Sequence, residues 1–481
     1  MNEVGDARVR RLAYGVMLGA FAGPTVPDWL AGAYAEGLAG ICLYGNNLGD
    51  HGVGDLARAV RDLEPTAVLA LDEEGGDVTR LHMRDGNPYP GNAALGVHED
   101  VDVTRSVAAA IGAELAGIGV WLNLAPSADI NSDPRNPVIG TRSFGSDPAL
   151  VARHTTAYVE GLASQGIAAC IKHFPGHGDT VTDSHIGLPH VTASADVVRA
   201  RELVPFAANL DAASIMTSHV VLEAFDADQP ATLSRAVLTD LLRHELRYDG
   251  VIVSDALDMA GASAIHGIGG AAVLSLAAGA DLLCLGPEPT DEPSLITEAV
   301  DAVCAAVNDG SVTVERLAEA AARVAALRTK WGALPVRDDT DQVIAAGRAH
   351  AAKVAAAIAS AAPRFTGPAT VVRIDTGTNP AVGDTSWGML DVGGDTITLT
   401  PATLEAAPSF PGEVAIVVRR AGAVRQVWDW IERQLDDNPE AVLVELGWPG
   451  PELEGRDRVI RTYGSAAVLT DALGDALRAP R

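Results

Sequence analysis

Short apolar runs rich in aliphatic and β-branched residues recur along the first 285 residues, at positions 14–18, 40–44, 67–71, 120–125, 167–171, 214–217, 251–254 and 281–285. Segments 103–117, 148–164, 195–210, 233–247 and 267–278 lie between them. Their apolar residues fall three and four apart, the period of amphipathic helices laid over a parallel sheet. Eight strand–helix units predict a (β/α)8 TIM barrel ending near residue 285. Polar residues gather directly after the strand runs: Asp72-Glu73-Glu74-Gly75-Gly76, Asn123 to Asp129, Lys172-His173, Ser218-His219 and Ser254-Asp255. In a barrel of this kind those positions rim the mouth at the carboxyl ends of the strands, where chemistry is normally found.

Residues 291–332 read as two further helices, followed by a break at 335–340 and an Ala-rich helix at 341–361. From about residue 364 strand and helix patterns alternate again, with strands at 370–374, 396–399, 414–418 and 441–446 and helices at 424–435 and 466–477. The predicted organisation is a barrel with trailing helices over 1–335, a helical linker over 336–365 and a smaller open α/β sandwich domain over 366–481. No GxGxxG or P-loop lysine occurs in that last part, so nothing marks it as a nucleotide binder.

Composition narrows the class. With 481 residues, 48% hydrophobic and 20% charged, the chain can bury a large core and is not of a disordered type. Its 35 basic against 63 acidic residues give a formal charge of −28, which repels nucleic acid and anionic membrane surfaces. Cys42, Cys170, Cys284 and Cys304 have no CxxC spacing and read as free thiols. No stretch is expected to approach the roughly 20 apolar residues of a membrane span. Residues Val9 to Gly23 imitate a signal peptide, but 14–18 also reads as the first barrel strand, and on that reading the cytoplasm is the expected location.

Two segments concentrate the candidate chemistry. KHFPGHGDTVTDSH, from Lys172 to His185, packs three histidines and two aspartates around a Pro-Gly loop. In an extended stretch Asp183 and His185 would share one side, and a carboxylate beside an imidazole fixes its tautomer and raises its basicity, as a proton shuttle requires. VIVSDALDM, from Val251 to Met259, ends an apolar strand in Ser254-Asp255. Asp255 could be a helix N-cap, a role that suits Asp258 better.

Together with DEEGGDVTRL (Asp72 to Leu81) and NPVIGTRSFGSDP (Asn136 to Pro148), these segments resemble glycoside hydrolase family 3 β-N-acetylglucosaminidases (β-hexosaminidases), over essentially the whole barrel. The resemblance implies a retaining exo-enzyme that removes terminal β-linked GlcNAc from peptidoglycan or chitin fragments, without metal or organic cofactor. It makes Asp255 the nucleophile, His185 the proton donor and acceptor, and Asp183 its dyad partner. It assigns Lys172 and His173 to sugar hydroxyls, and Asp72 and Arg142 to the hydroxyl and N-acetyl side of the ring. A retaining glycosidase needs a nucleophile on one face of the anomeric carbon and a proton source on the other. Because a neutral imidazole does not repel an anion, phosphate could replace water in the second step, giving a GlcNAc phosphorylase. The sequence departs from the family pattern at Glu73 and Asp77, where an amide and a basic residue are expected, and at Ala256 and Asp258, which replace a more acidic pair.

Other readings compete. His173, His177, Asp179 and His185 could form the metal site of a TIM-barrel hydrolase, although the motif lacks the helical i, i+4 spacing of zincin ligands. A β-glucosidase of the same family would not need Asp183-Ser184-His185, and a silent sugar-binding protein would not need Asp255 with them. His177 reads as a structural member of its loop and His219 as a hydrogen-bonded core histidine. Trp428, Trp430 and Trp448 read as packing residues.

Overall fold

The computed structural model describes residues 3–48, 52–181, 187–288, 291–377, 381–383 and 388–478. Eight parallel strands, Met17–Gly19, Gly40–Leu43, Val68–Leu71, Leu122–Asn123, Ala168–Phe174, Ser214–Thr217, Val251–Val253 and Leu283–Cys284, pair in chain order. Met17 pairs with Leu283, and a bridge between Val253 and Leu282 joins the seventh strand to the eighth, so the sheet curls into a barrel. The strands are buried on both faces, hence their continuous apolar runs.

The first strand starts later than its sequence pattern suggests. Residues Glu3–Tyr14 form a helix whose Val9, Ala13 and Tyr14 are buried, so Tyr14 ends a helix rather than opening a strand. Short apolar runs are ambiguous between the two states. The single helix expected at 195–210 is two, Ala195–Ala200 and Val204–Ala207; Pro205 lacks an N–H and opens a new turn. The helix expected at 233–247 is Ala236–Glu245, wound wide in π fashion. Helices Trp29–Glu36, Gly54–Leu63 and Asn92–His98 have no counterpart in the sequence reading.

The helix expected at 267–278 begins earlier, at Ala260, and kinks at Gly267, whose φ is +66°. Its 19 residues have a mean hydropathy of 1.4 and are long and apolar enough to cross a membrane by length and composition, which corrects the expectation that no stretch comes near. Here the helix follows the seventh barrel strand and packs against helix Ser294–Asp309.

Helix Thr340–Ala359 lies between helices Val101–Ile118 and Ala467–Leu477. Its small residues permit a close approach: a Cβ on Gly347 would come within 2.3 Å of the Ala110 Cβ. Beyond it, five parallel strands in the order Thr396–Leu399, Thr370–Ile374, Val414–Val418, Ala441–Glu445, Val459–Arg461 form a second sheet. Alternate side chains feed opposite faces. Val414, Ile416 and Val418 pack with Trp428, Trp430 and Ile431, while Ala415 and Val417 pack with Leu473 and Leu477. A barrel followed by an open α/β sandwich is therefore the architecture. The strand Val459–Arg461, which borders polar residues, was missed from sequence.

Candidate active site

A cavity of about 240 Å³ opens at the carboxyl ends of the barrel strands. Asp72, Arg142, Lys172, His173 and Asp255 all line it, although they come from four separate stretches of chain. Asp183 and His185 lie outside the described residues.

Asp72 directly follows the third strand, and the fifth strand carries Lys172 and His173 to the same rim. Lys172 Nζ is 2.5 Å from Asp72 Oδ1 and 2.8 Å from Glu74 Oε1. Arg142 grips the same Glu74 with both arms of its guanidinium, Nε at 2.9 Å and Nη2 at 2.7 Å. Bidentate pairing of this kind fixes orientation as well as charge. Burial works to raise the Glu74 carboxyl, but Arg142 and Lys172 outweigh it and hold the group well below the usual carboxylate range. Burial likewise works against the Lys172 ammonium, and Asp72 and Glu74 overcome it, so its pKa is raised. The result is a fixed array of charges with Arg80 Nη2 at 4.0 Å from Asp72 Oδ2.

Asp129, fully buried in the loop after the fourth strand, organises the histidines. Its carboxylate meets His173 Nδ1 at 2.6 Å and accepts the backbone N–H of His177 at 2.7 Å and the Ser127 hydroxyl at 2.9 Å. Burial opposes its charge, but the two histidines prevail and draw its pKa down to about 2. The pairing turns His173 Nε2 toward Arg142 Nη2, 3.3 Å away. His177 is buried, with Nδ1 2.9 Å from Thr180 Oγ1, and burial lowers its pKa to about 4. The loop can lie this close only with glycine at 178, where a Cβ would sit 1.6 Å from the Ile130 carbonyl oxygen. Asp179 turns away from the cavity to Arg201 Nη2, 2.5 Å distant. Among the described residues no group of three or more His, Cys, Asp or Glu could hold a metal ion.

Asp255 stands two residues beyond the seventh strand, with its backbone N–H bonded to Thr217 Oγ1 and Oδ1 accepting the Ala256 N–H. His219 straps this turn: Nε2 lies 2.9 Å from the Ala256 carbonyl oxygen and Nδ1 2.9 Å from Thr232 Oγ1. Asp258 does not cap the following helix, whose N-cap is Met259 with no side-chain bond; it lines the cavity instead. Sequence reasoning assigned no role to Glu74, Asp129 or Arg80. All three stood within segments already singled out, whereas nothing in the sequence distinguished Ala381, which reaches the cavity from the second domain.

The profile of the Glycosyl hydrolase family 3 N terminal domain matches residues 33–327. The chain belongs to glycosyl hydrolase family 3. Within that family it is 36% identical over 282 residues to "Beta-hexosaminidase A" of Pseudoalteromonas piscicida, covering 54% of this chain and 47% of that protein. The chain therefore matches about half the length of that relative. It is also 36% identical over 251 residues to a "Beta-hexosaminidase" of Pseudomonas aeruginosa, covering 51% of this chain and 74% of the relative. Among solved structures, a family 3 beta-N-acetylglucosaminidase from Paenibacillus sp. str. FPU-7 superimposes with a TM-score of 0.82 at 27% identity, over 98% of this chain and 97% of that one.

Two departures from the family 3 sequence pattern now have structural partners. Asp77 is buried and accepts hydrogen bonds from the Ser465 N–H at 2.7 Å and the Ser465 hydroxyl at 2.8 Å, with Arg419 Nη1 3.5 Å away. It joins the family 3 barrel to the second domain, where a basic residue would meet Arg419. Glu73 is buried and its Oε2 accepts the Arg80 and Leu81 N–H groups, bracing the loop that presents Asp72.

Proposed function

We propose that the protein is a retaining exo-β-N-acetylglucosaminidase acting on terminal β-linked GlcNAc. The observation that carries this reading is the convergence of Asp255 with Asp72, Arg142, Lys172 and His173 on one cavity at the barrel mouth. Likeness to proteins titled beta-hexosaminidase supports it. On this reading Asp255 attacks the anomeric carbon while His185, oriented by Asp183, protonates the departing glycosidic oxygen. The glycosyl-enzyme ester then breaks when water, deprotonated by His185, attacks the same carbon from the opposite face. Lys172, His173, Asp72 and Arg142 hold the sugar hydroxyls and the N-acetyl group. Their preset geometry spends no binding energy on reorganisation. A wall fragment or chitin fragment is the natural substrate we favour, and recycling of imported fragments would place the reaction in the cytoplasm.

The test is turnover of p-nitrophenyl β-N-acetylglucosaminide against the plain glucoside, with EDTA present throughout. Wild-type preference for the N-acetyl sugar is expected, and Asp255→Ala should lose about 10³-fold or more in kcat, the scale for a removed nucleophile. A proton NMR time course should show the β-anomer first. Product analysis at high phosphate should give free GlcNAc; GlcNAc-1-phosphate would make the enzyme a phosphorylase. Undiminished turnover in Asp255→Ala would overturn the mechanism.

A further inference from the structure

A second cavity, of about 310 Å³, opens on the opposite side of the barrel, where the strands begin. Helix Glu3–Tyr14, the end of helix Trp29–Glu36 and helix Val314–Trp331 form its walls. Its volume falls at the lower end of the roughly 300–1,000 Å³ common for small-molecule sites. The lining divides by chemistry. Leu12, Leu38 and Val324 supply apolar walls, while Arg8, Arg11 and Arg328 bring three guanidinium groups against the one carboxylate of Glu64. That is an excess of positive charge in a chain whose formal charge is −28.

The cations differ in how far they are already committed. Arg328 is anchored through Nε to the Thr66 carbonyl oxygen at 2.9 Å and through Nη2 to the Thr66 hydroxyl at 2.8 Å, with Glu64 Oε1 3.4 Å away. Arg11 spends one N–H on the Ala35 carbonyl oxygen. Arg8 has no acceptor among the described residues and is exposed. A separate observation points the same way. Tyr34, 8% exposed, lines this cavity, and its hydroxyl is buried with no hydrogen-bond partner. A buried hydroxyl without a partner costs stability, and a native fold normally supplies one. Burial also raises the Tyr34 pKa, so at neutral pH the group is a donor suited to an anionic acceptor.

We infer that this cleft binds a small organic anion, with its acidic head on Arg8, Arg11 and the Tyr34 hydroxyl and a compact apolar body against Leu12 and Val324. The site is remote from the catalytic mouth. Conserving the fold rather than catalysis is what this face of a barrel ordinarily does, so its ligand should act on stability by binding the folded state.

The probes are phenyl phosphate and benzoate, titrated by calorimetry and by thermal melting at low salt into the full chain. One-to-one saturable binding of at least one probe, with a rise in Tm, is expected; which one binds distinguishes a phosphate head from a carboxylate head. Arg8→Ala/Arg11→Ala should weaken it at least ten-fold and Tyr34→Phe several-fold, while Asp72→Ala at the catalytic mouth should leave it unchanged. Arg8→Ala alone, an exposed position, serves if the double variant folds poorly. Failure of both probes to saturate, unchanged binding in either the arginine or the tyrosine variant, or loss in Asp72→Ala would overturn the inference.

Discussion

Glu74 has two cations depending on it, Arg142 and Lys172, and all three side chains are almost fully buried. Removing Glu74 leaves the buried Arg142 guanidinium without its carboxylate, while Lys172 keeps Asp72; breaking a buried ion pair from one side costs about 3–5 kcal/mol. Glu74→Gln should therefore lower the urea midpoint by an amount in that range and impair turnover, since Arg142 loses its fork; an unaltered midpoint would refute the role given to the carboxylate. Asp129 makes a pH-dependent contribution. Its folded-state pKa of about 2 lies below the unfolded value of about 3.9, so its stabilisation is complete above the unfolded value and is lost as pH falls toward 2. Asp129→Asn should be less stable than wild type at pH 6, with the gap closing between about pH 4 and pH 2. Unfolding curves over that range check it, and a gap that widens on acidification would contradict the assignment.

At the level of elements, strands were the more legible part. Residues Ser214–Thr217, Thr370–Ile374, Thr396–Leu399 and Val414–Val418 are strands over the very residues whose pattern predicted them. Their apolar runs are short and bounded by polar or turn residues, which leaves little room for a helix. Helices suffered where a local feature overrode the period, at Pro205, at Gly267 and in the wide turn of Ala236–Glu245. The Ala-rich helix Thr340–Ala359 teaches a different lesson, because its weak amphipathic pattern is explained by close contact with two other helices. Gly347→Leu should force that helix off Ala110 and cost about 1–3 kcal/mol, the usual penalty of overpacking, measurable as a fall in Tm. A Tm equal to wild type would mean that the contact is not tight.

Across the whole molecule, the junction of barrel and sandwich turns on Asp77. Its partners Ser465 and Arg419 lie more than 300 residues further along the chain. Asp77→Ala leaves the buried Ser465 N–H without its acceptor and removes the carboxylate facing Arg419, a loss of about 1–3 kcal/mol. Limited proteolysis in the segment 333–339 should accelerate and the melting transition should broaden or fall; cleavage at the wild-type rate would show that the domains hold together by other contacts.

What the sequence determined alone was the alternation of strand and helix, the barrel it implies, and the polar residues at strand ends. Each of these depends on residues close together in the chain, through side-chain period and turn chemistry. It also marked Asp72, Arg142, Lys172, His173 and Asp255, through the motifs that contain them. The tertiary structure decided which groups meet: Glu74 between Arg142 and Lys172, Asp129 under His173, Asp77 on Ser465, and Tyr34 in one cavity with three arginines. These encounters require the barrel to close and the second domain to dock. Coulombic and hydrogen-bond partners act over a few ångströms in space, whatever their separation along the chain.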